Sequence, residues 1–193
     1  WTTTTWTLPS NTALAIGTDI DYIKVKSFNP YTGNPITVIL AKAISEGYFP
    51  ANAAGLSFEE YQPGNKDIPY KILSSHKGKE LEGVSYEQLI DWVKPDREAF
   101  RVFLGDFVST DEGTGVVHIA PTFGADDYKI ALEYNIPPLT IIDKDGIIQP
   151  LVDKKGRLFR IEDMDPQFVK DHINVKTYGE FSGKYVKNEY DET

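Results

Sequence analysis

Cysteine is absent from the 193 residues. Disulfides, thiolate metal sites and a cysteine nucleophile go with it, and the absence fits a reducing compartment without requiring one. No N-x-[ST] sequon occurs. No apolar run approaches the ~18 residues of a membrane span, and no signal-peptide pattern is present. A G-x-x-x-x-G-K-[ST] phosphate loop is missing, and Gly113-Thr114-Gly115 lacks the third glycine and the helix start of a dinucleotide fingerprint. The histidines His76, His118 and His172 are scattered, with no metal-ligand spacing to unite them, so neither a metal nor another cofactor is expected. Methionine occurs once, at Met164, and the chain starts at Trp1; this reads as a piece cut from a larger protein. Positive charge is also short: 20 Lys and Arg stand against 29 Asp and Glu, a formal net charge of −9. Affinity for a phosphate backbone is carried mostly by Lys and Arg, so any such contact must be local or assisted by another domain.

What is present is an ordinary globular composition, 40% hydrophobic and 25% charged, in a chain long enough for one real core. Short strands dominate the pattern. Thr12 to Gly17 is an apolar run. Asp21 to Phe28 alternates, with Tyr22, Lys24 and Lys26 set against Ile23, Val25 and, at its end, Phe28, and reads as a half-buried strand. The turn-rich Asn29 to Pro35 leads to a β-branched strand, Ile36 to Leu40. Ala41 to Tyr48 reads as a short helix, and residues 50–70 as loop with at most one helical turn. Lys71, Lys77 and Lys79 form a loose basic stretch, read as a solvated loop with a phosphate contact as the alternative.

Phe100 to Ser109 and Gly115 to Ala120 read as strands, joined in a hairpin by Asp111-Glu112-Gly113. A helix is expected over Ala125 to Tyr134, a strand over Leu139 to Ile142, and a helix from Asp165-Pro166 to Ile173. No repeat, heptad or strong domain boundary appears. The fold class expected is mixed α/β and β-rich, as one domain over residues 1–193.

Two segments carry candidate chemistry. Trp1 to Pro9 holds five threonines, whose hydroxyls both donate and accept and can line a polar pocket or hold a water. The plainer reading is a threonine-rich strand. A threonine nucleophile of the N-terminal type does not fit, because Thr2 is not the first residue. The second segment is Gly113 to Tyr128, an apolar strand that ends in a Gly/Pro turn and opens a helix with two aspartates. His118 lies on the strand face of Val116 and Ala120 and reads either as a structural histidine or as a site residue. Asp126 and Asp127 complement the helix macrodipole; the sharper reading is that one of them faces a pocket and pairs with a substrate ammonium.

Together, W-T-T-T-x-W-T-L-P and, about a hundred residues on, G-T-G-V-V-H-x-A-P-x-F-G-x-D-D resemble the editing domain (CP1) inserted in isoleucyl-tRNA synthetases, which are class I enzymes. The resemblance covers essentially the whole chain, and Gly179 to Lys187 looks like the exit of the insertion. Valyl- and leucyl-type editing domains carry T-T-R-P and an H-D pair where this chain has Trp6 and Phe123-Gly124. Thr5 departs from the proline found in many isoleucyl enzymes.

The resemblance implies a β-barrel core decorated by a few helices and long loops. It implies a hydrolase that cleaves the ester of valine mischarged onto tRNA(Ile) and excludes isoleucine by size, with no synthetic activity in this piece. It assigns Asp127 to the substrate ammonium, Thr2, Thr3 and Thr4 to the pocket lining and the hydrolytic water, Trp6 to the pocket wall, and His118 to the size limit. Asp127, Thr3 and His118 are its catalytic candidates. Its partners are the 3′ end of mischarged tRNA(Ile) and the rest of the parent synthetase, with valyl-adenylate a further candidate substrate. The setting implied is cytoplasmic, away from membranes, and the piece itself monomeric. A non-catalytic insertion that only positions tRNA and a valyl- or leucyl-type editing domain are the alternatives.

Overall fold

Strand alternation shows most plainly in residues 21–28, and a computed structural model, which describes residues 4–186, bears it out. These residues divide into two compact units. The first holds residues 15–84 and 102–117. The second holds residues up to 14, then 85–101, then 118 onward.

In chain order, β1 spans Ala13–Ile16, β2 Asp21–Phe28, β3 Pro35–Ala41 and β4 Lys71–Lys77. After these come β5 (Arg101–Leu104), β6 (Val116–Ile119), β7 (Thr140–Ile142) and β8 (Ile148–Pro150). The helices are α1 (Ala125–Glu133), α2 (Pro166–His172) and α3 (Val175–Tyr178), with several 3-10 turns between them. Among the described residues the strands pair as three small sheets, in the orders β5-β1-β6, β3-β2-β4 and β7-β8. The β-rich mixed class read from the sequence is therefore what the chain adopts.

In the first unit β2 is the central strand. Ile23, Val25 and Ser27 are buried and Lys24 and Lys26 exposed, as the period of two requires. Tyr22 departs from the pattern, because it shares the lysine face yet is fully buried. Its hydroxyl donates to the Gly115 carbonyl (2.6 Å) and accepts from the Gly17 amide (3.0 Å), which ties it down where a lysine would turn outward. Gly115 is needed for this approach: its φ is +70°, and a Cβ there would meet the Ala41 Cβ at 2.6 Å. The β2–β3 hairpin closes through Asn29, whose Oδ1 accepts from the amides of Tyr31 and Thr32.

Two expectations are corrected here. Residues 71–77 are not a solvated loop but an edge strand, antiparallel to β2. Ile72 and Leu73 are both about half exposed, so the apolar alternation that marks a half-buried strand is missing, and backbone pairing holds the segment instead. The hairpin expected around Asp111 to Gly113 does not form either, because β1 lies between β5 and β6. Bonds distant in sequence decide this, such as the Gly105 amide to the Ile16 carbonyl (2.9 Å) within the first unit.

The second unit has its own core: Val93, Leu139, Ile141, Leu151, Leu158, Met164 and Tyr178. β7 and β8 form a tight hairpin across the expected Asp143 to Gly146 turn, where Asp143 Oδ1 accepts from the Ile147 amide (2.9 Å). Helix α2 starts where the Asp-Pro signal placed it, with Asp165 Oδ1 accepting from the Phe168 amide at 2.8 Å. Helix α1 matches its expected span to one residue.

Candidate functional site

Threonine hydroxyls bond readily to carbonyls three or four residues back, and proline favours a helical φ. Both effects act on the threonine-rich segment. Thr5–Ser10 forms a 3-10 helix with Pro9 inside it, not an extended strand. Thr7 bonds back twice onto the Thr4 carbonyl, through its amide (3.0 Å) and its Oγ1 (2.8 Å). Thr7 is buried, Thr4 and Trp6 half-buried. Thr2 and Thr3, two of the expected pocket threonines, lie outside the described residues, as does Lys187 at the expected exit of the insertion.

The second motif meets this segment within the same unit. His118, near the end of β6, sets its Nε2 3.0 Å from Thr7 Oγ1. Burial pushes the imidazole below its usual pKa of 6.5, and the charge of Asp127 pulls the other way. The ring is thus neutral around pH 7, with one nitrogen a donor and the other an acceptor. After the strand, the Phe123 amide closes a turn onto the Ala120 carbonyl (3.0 Å), and Gly124 opens α1.

That helix start separates the two aspartates. Asp126 points to solvent and pairs with Lys129 at 3.4 Å. Asp127 is half-buried and turns back, its Oδ2 accepting from the Ala120 amide at 2.8 Å. A carboxylate has about four acceptor positions, so one such bond leaves capacity for an ammonium. The structure thus gathers Thr4, His118 and Asp127 into one unit, with Thr7 as the link that the residue-type argument did not single out.

Asn11 joins the site without any signal in its local sequence. It is buried, accepts from the Tyr86 hydroxyl (2.6 Å) and donates to the Ala13 carbonyl (2.9 Å). No local signal marks Tyr86, which lies 75 residues away in sequence. Four buried polar atoms in this unit, Ser10 Oγ, Thr12 Oγ1, His118 Nδ1 and Thr122 Oγ1, have no hydrogen-bond partner among the described residues. A buried polar group left unpaired costs about 1–3 kcal/mol, which an ordered water or a bound ligand group would offset. All four belong to the two segments singled out above or to their immediate continuations.

The burial of His118 has a consequence for acid stability. A lowered pKa in the folded state means that the unfolded chain binds a proton first as pH falls. The stability tied to the neutral ring is complete above about pH 6.5 and is lost as pH falls through the lowered folded value. Urea unfolding of the protein and its His118→Gln variant between pH 7.5 and 5 should show a steeper decline for the parent protein. Parallel pH profiles would contradict a buried neutral ring.

Among the described residues no group of three or more His, Asp or Glu is placed to hold a metal ion, and no helix is long and apolar enough to cross a membrane. No protein-family profile matches the chain. Curated relatives do. An isoleucine–tRNA ligase of Bacteroides fragilis is 52% identical over 99% of this chain and 17% of its own length. That of Porphyromonas gingivalis is 54% identical over 99% of this chain and 17% of its own length, and that of Cytophaga hutchinsonii 51% identical over 98% and 16%. The chain therefore spans about a sixth of the length of the relatives it matches. Among solved structures, the editing domain of Plasmodium knowlesi cytosolic leucyl-tRNA synthetase aligns over 69% of this chain and 50% of its own, at 15% identity and a TM-score of 0.47.

Proposed function

We propose, from the premise that this chain matches one segment of isoleucine–tRNA ligases along nearly its whole length, that it is the editing domain of such an enzyme. In this reading it hydrolyses the ester between valine and the terminal adenosine of tRNA(Ile), within a parent ligase in the cytoplasm. The observation that carries the reading is the 3.0 Å approach of Thr7 Oγ1 to His118 Nε2, which brings the threonine-rich segment and the second motif to one place.

The need for a second site is one of size. Valine lacks one methylene of isoleucine, and an apolar pocket discriminates that by only about 1–3 kcal/mol, a general figure whose standard example is this very pair of amino acids and not a result of this structure. A pocket that admits the smaller side chain and rejects the larger sorts them a second time.

The residues divide the work by chemistry. Asp127, anchored by the Ala120 amide, is the acceptor for the α-ammonium. The resemblance gives Thr2, Thr3 and Thr4 the task of contacting the substrate and orienting the water. Trp6 forms a wall, and His118 limits the side chain. Burial lowers the basicity of His118, and its Nε2 is engaged with Thr7, so it is a weak candidate for full proton abstraction; a ribose hydroxyl of the substrate assists the water and the protein supplies position. Valyl-adenylate carries the same ammonium and side chain and is a further substrate of this site.

The reading is tested by deacylation with the full-length ligase. Valyl-tRNA(Ile) should be hydrolysed and isoleucyl-tRNA(Ile) spared. Equal rates for the two esters, or no hydrolysis of either, would remove the editing assignment.

A further inference from the structure

In an antiparallel pair, residues directly opposite each other share a face, and like charges so placed repel. Lys26 of β2 stands directly opposite Lys71 of β4. Lys24 shares their face, two residues along β2, opposite Ile39 and Ser74 on its two neighbours. All three lysines are exposed. Strands β2, β3 and β4 carry four lysines and one aspartate, in a chain where acids outnumber bases 29 to 20. That aspartate, Asp21, is already paired with Lys77 at 2.9 Å. Lys24, Lys26 and Lys71 make no ion pair among the described residues.

Protection of a sheet edge does not account for this strip. Lysines guard edges, but Lys24 and Lys26 sit on the central strand. Aromatic groups adjoin the strip at one end. Lys26 Nζ lies 5.4 Å from the centre of the Phe58 ring, and Phe28 stacks on Tyr61 at 4.2 Å. Tyr31, at the tip of the β2–β3 hairpin, is 94% exposed. Three unpaired cations in a row with aromatic faces beside them form a surface suited to an RNA backbone, whose phosphates meet the ammonium groups while exposed bases or riboses meet the rings.

We propose that the exposed face of the β3-β2-β4 sheet, through Lys24, Lys26 and Lys71, binds the phosphate backbone of the tRNA. This deepens the editing reading by naming where a chain of net charge −9 receives its polyanionic partner. It rests on that reading only for the identity of the RNA, and binding is measured apart from ester hydrolysis.

The experiment uses the full-length ligase and uncharged tRNA(Ile). Filter binding gives the Kd from 50 to 200 mM KCl for the parent protein, for Lys24→Gln/Lys26→Gln/Lys71→Gln, and for the triple arginine variant. Each lost phosphate contact lowers the slope of log K against log salt by about 0.7–0.9, so the glutamine variant should bind about tenfold or more weakly at 50 mM KCl, with a slope shallower by about 2. The arginine variant should bind as the parent does. An unchanged Kd and slope in the glutamine variant overturns the proposal and leaves the face to an acidic protein surface. Equal weakening in the arginine variant also overturns it, since charge would then not be the cause. A ligase that binds in the expected way yet hydrolyses neither ester would sink the editing reading and leave this surface standing.

Discussion

Asp127→Ala in the full-length ligase should lower deacylation of valyl-tRNA(Ile) about 100-fold or more while isoleucine activation stays unchanged. A hydrogen bond to a charged group is worth about 1.5–3 kcal/mol, and loss of the ammonium anchor also frees the ester carbonyl to drift from the water. The variant has a second effect that must be separated from the first. Asp127 Oδ2 accepts from the Ala120 amide, and Ala120 is 1% exposed. Alanine at 127 leaves that donor buried and unpaired, at a cost of about 1–3 kcal/mol of folding stability. Asp127→Asn resolves the two roles. Its amide oxygen still accepts from Ala120, so urea unfolding should place it near the parent protein, whereas the charge is gone. Deacylation by the asparagine variant should be as poor as by the alanine variant. An asparagine variant that edits normally would show that the side chain only caps the turn.

The ends of elements and their local caps were legible in the sequence, and the reasons are local. Asp165-Pro166, Gly124-Ala125 and the Asp143 to Gly146 turn all carry their instruction within four or five residues, and each element begins or ends close to the expected place. What was not legible was long-range pairing. Nothing near Asp111 indicates that β1, a hundred residues earlier, will take the place of its hairpin partner. Strand β4 was hidden for a different reason. Its side chains face solvent at nearly every position, so burial leaves no periodic trace.

The site divides along the same line. His118 and Asp127 are visible as residue types at a strand end and a helix start. Thr7 is one threonine among five until the fold sets it beside His118, and Asn11 acquires its partner Tyr86 only in three dimensions.

His118→Ala should open the site to the amino acid it spares. The imidazole is half-buried, bonded to Thr7 on one side and within the field of Asp127 on the other, so it is held in place rather than free to swing. Its removal leaves room for more than the single methylene that separates isoleucine from valine. Hydrolysis of isoleucyl-tRNA(Ile) by the full-length ligase should then rise about 10- to 100-fold, within the range that one methylene controls in an apolar pocket. Hydrolysis of the valyl ester should change less, because Asp127, the proposed acceptor for the ammonium, is untouched. Net charging of tRNA(Ile) with isoleucine should drop as the variant destroys its own product. His118→Phe keeps the bulk of the ring without its nitrogens, so it should preserve rejection of isoleucine if size is the principle. If the alanine variant keeps the parent's preference for valine, the gate lies elsewhere in the unit. If the phenylalanine variant loses that preference as alanine does, the imidazole acts through its hydrogen bond to Thr7 and not through its volume.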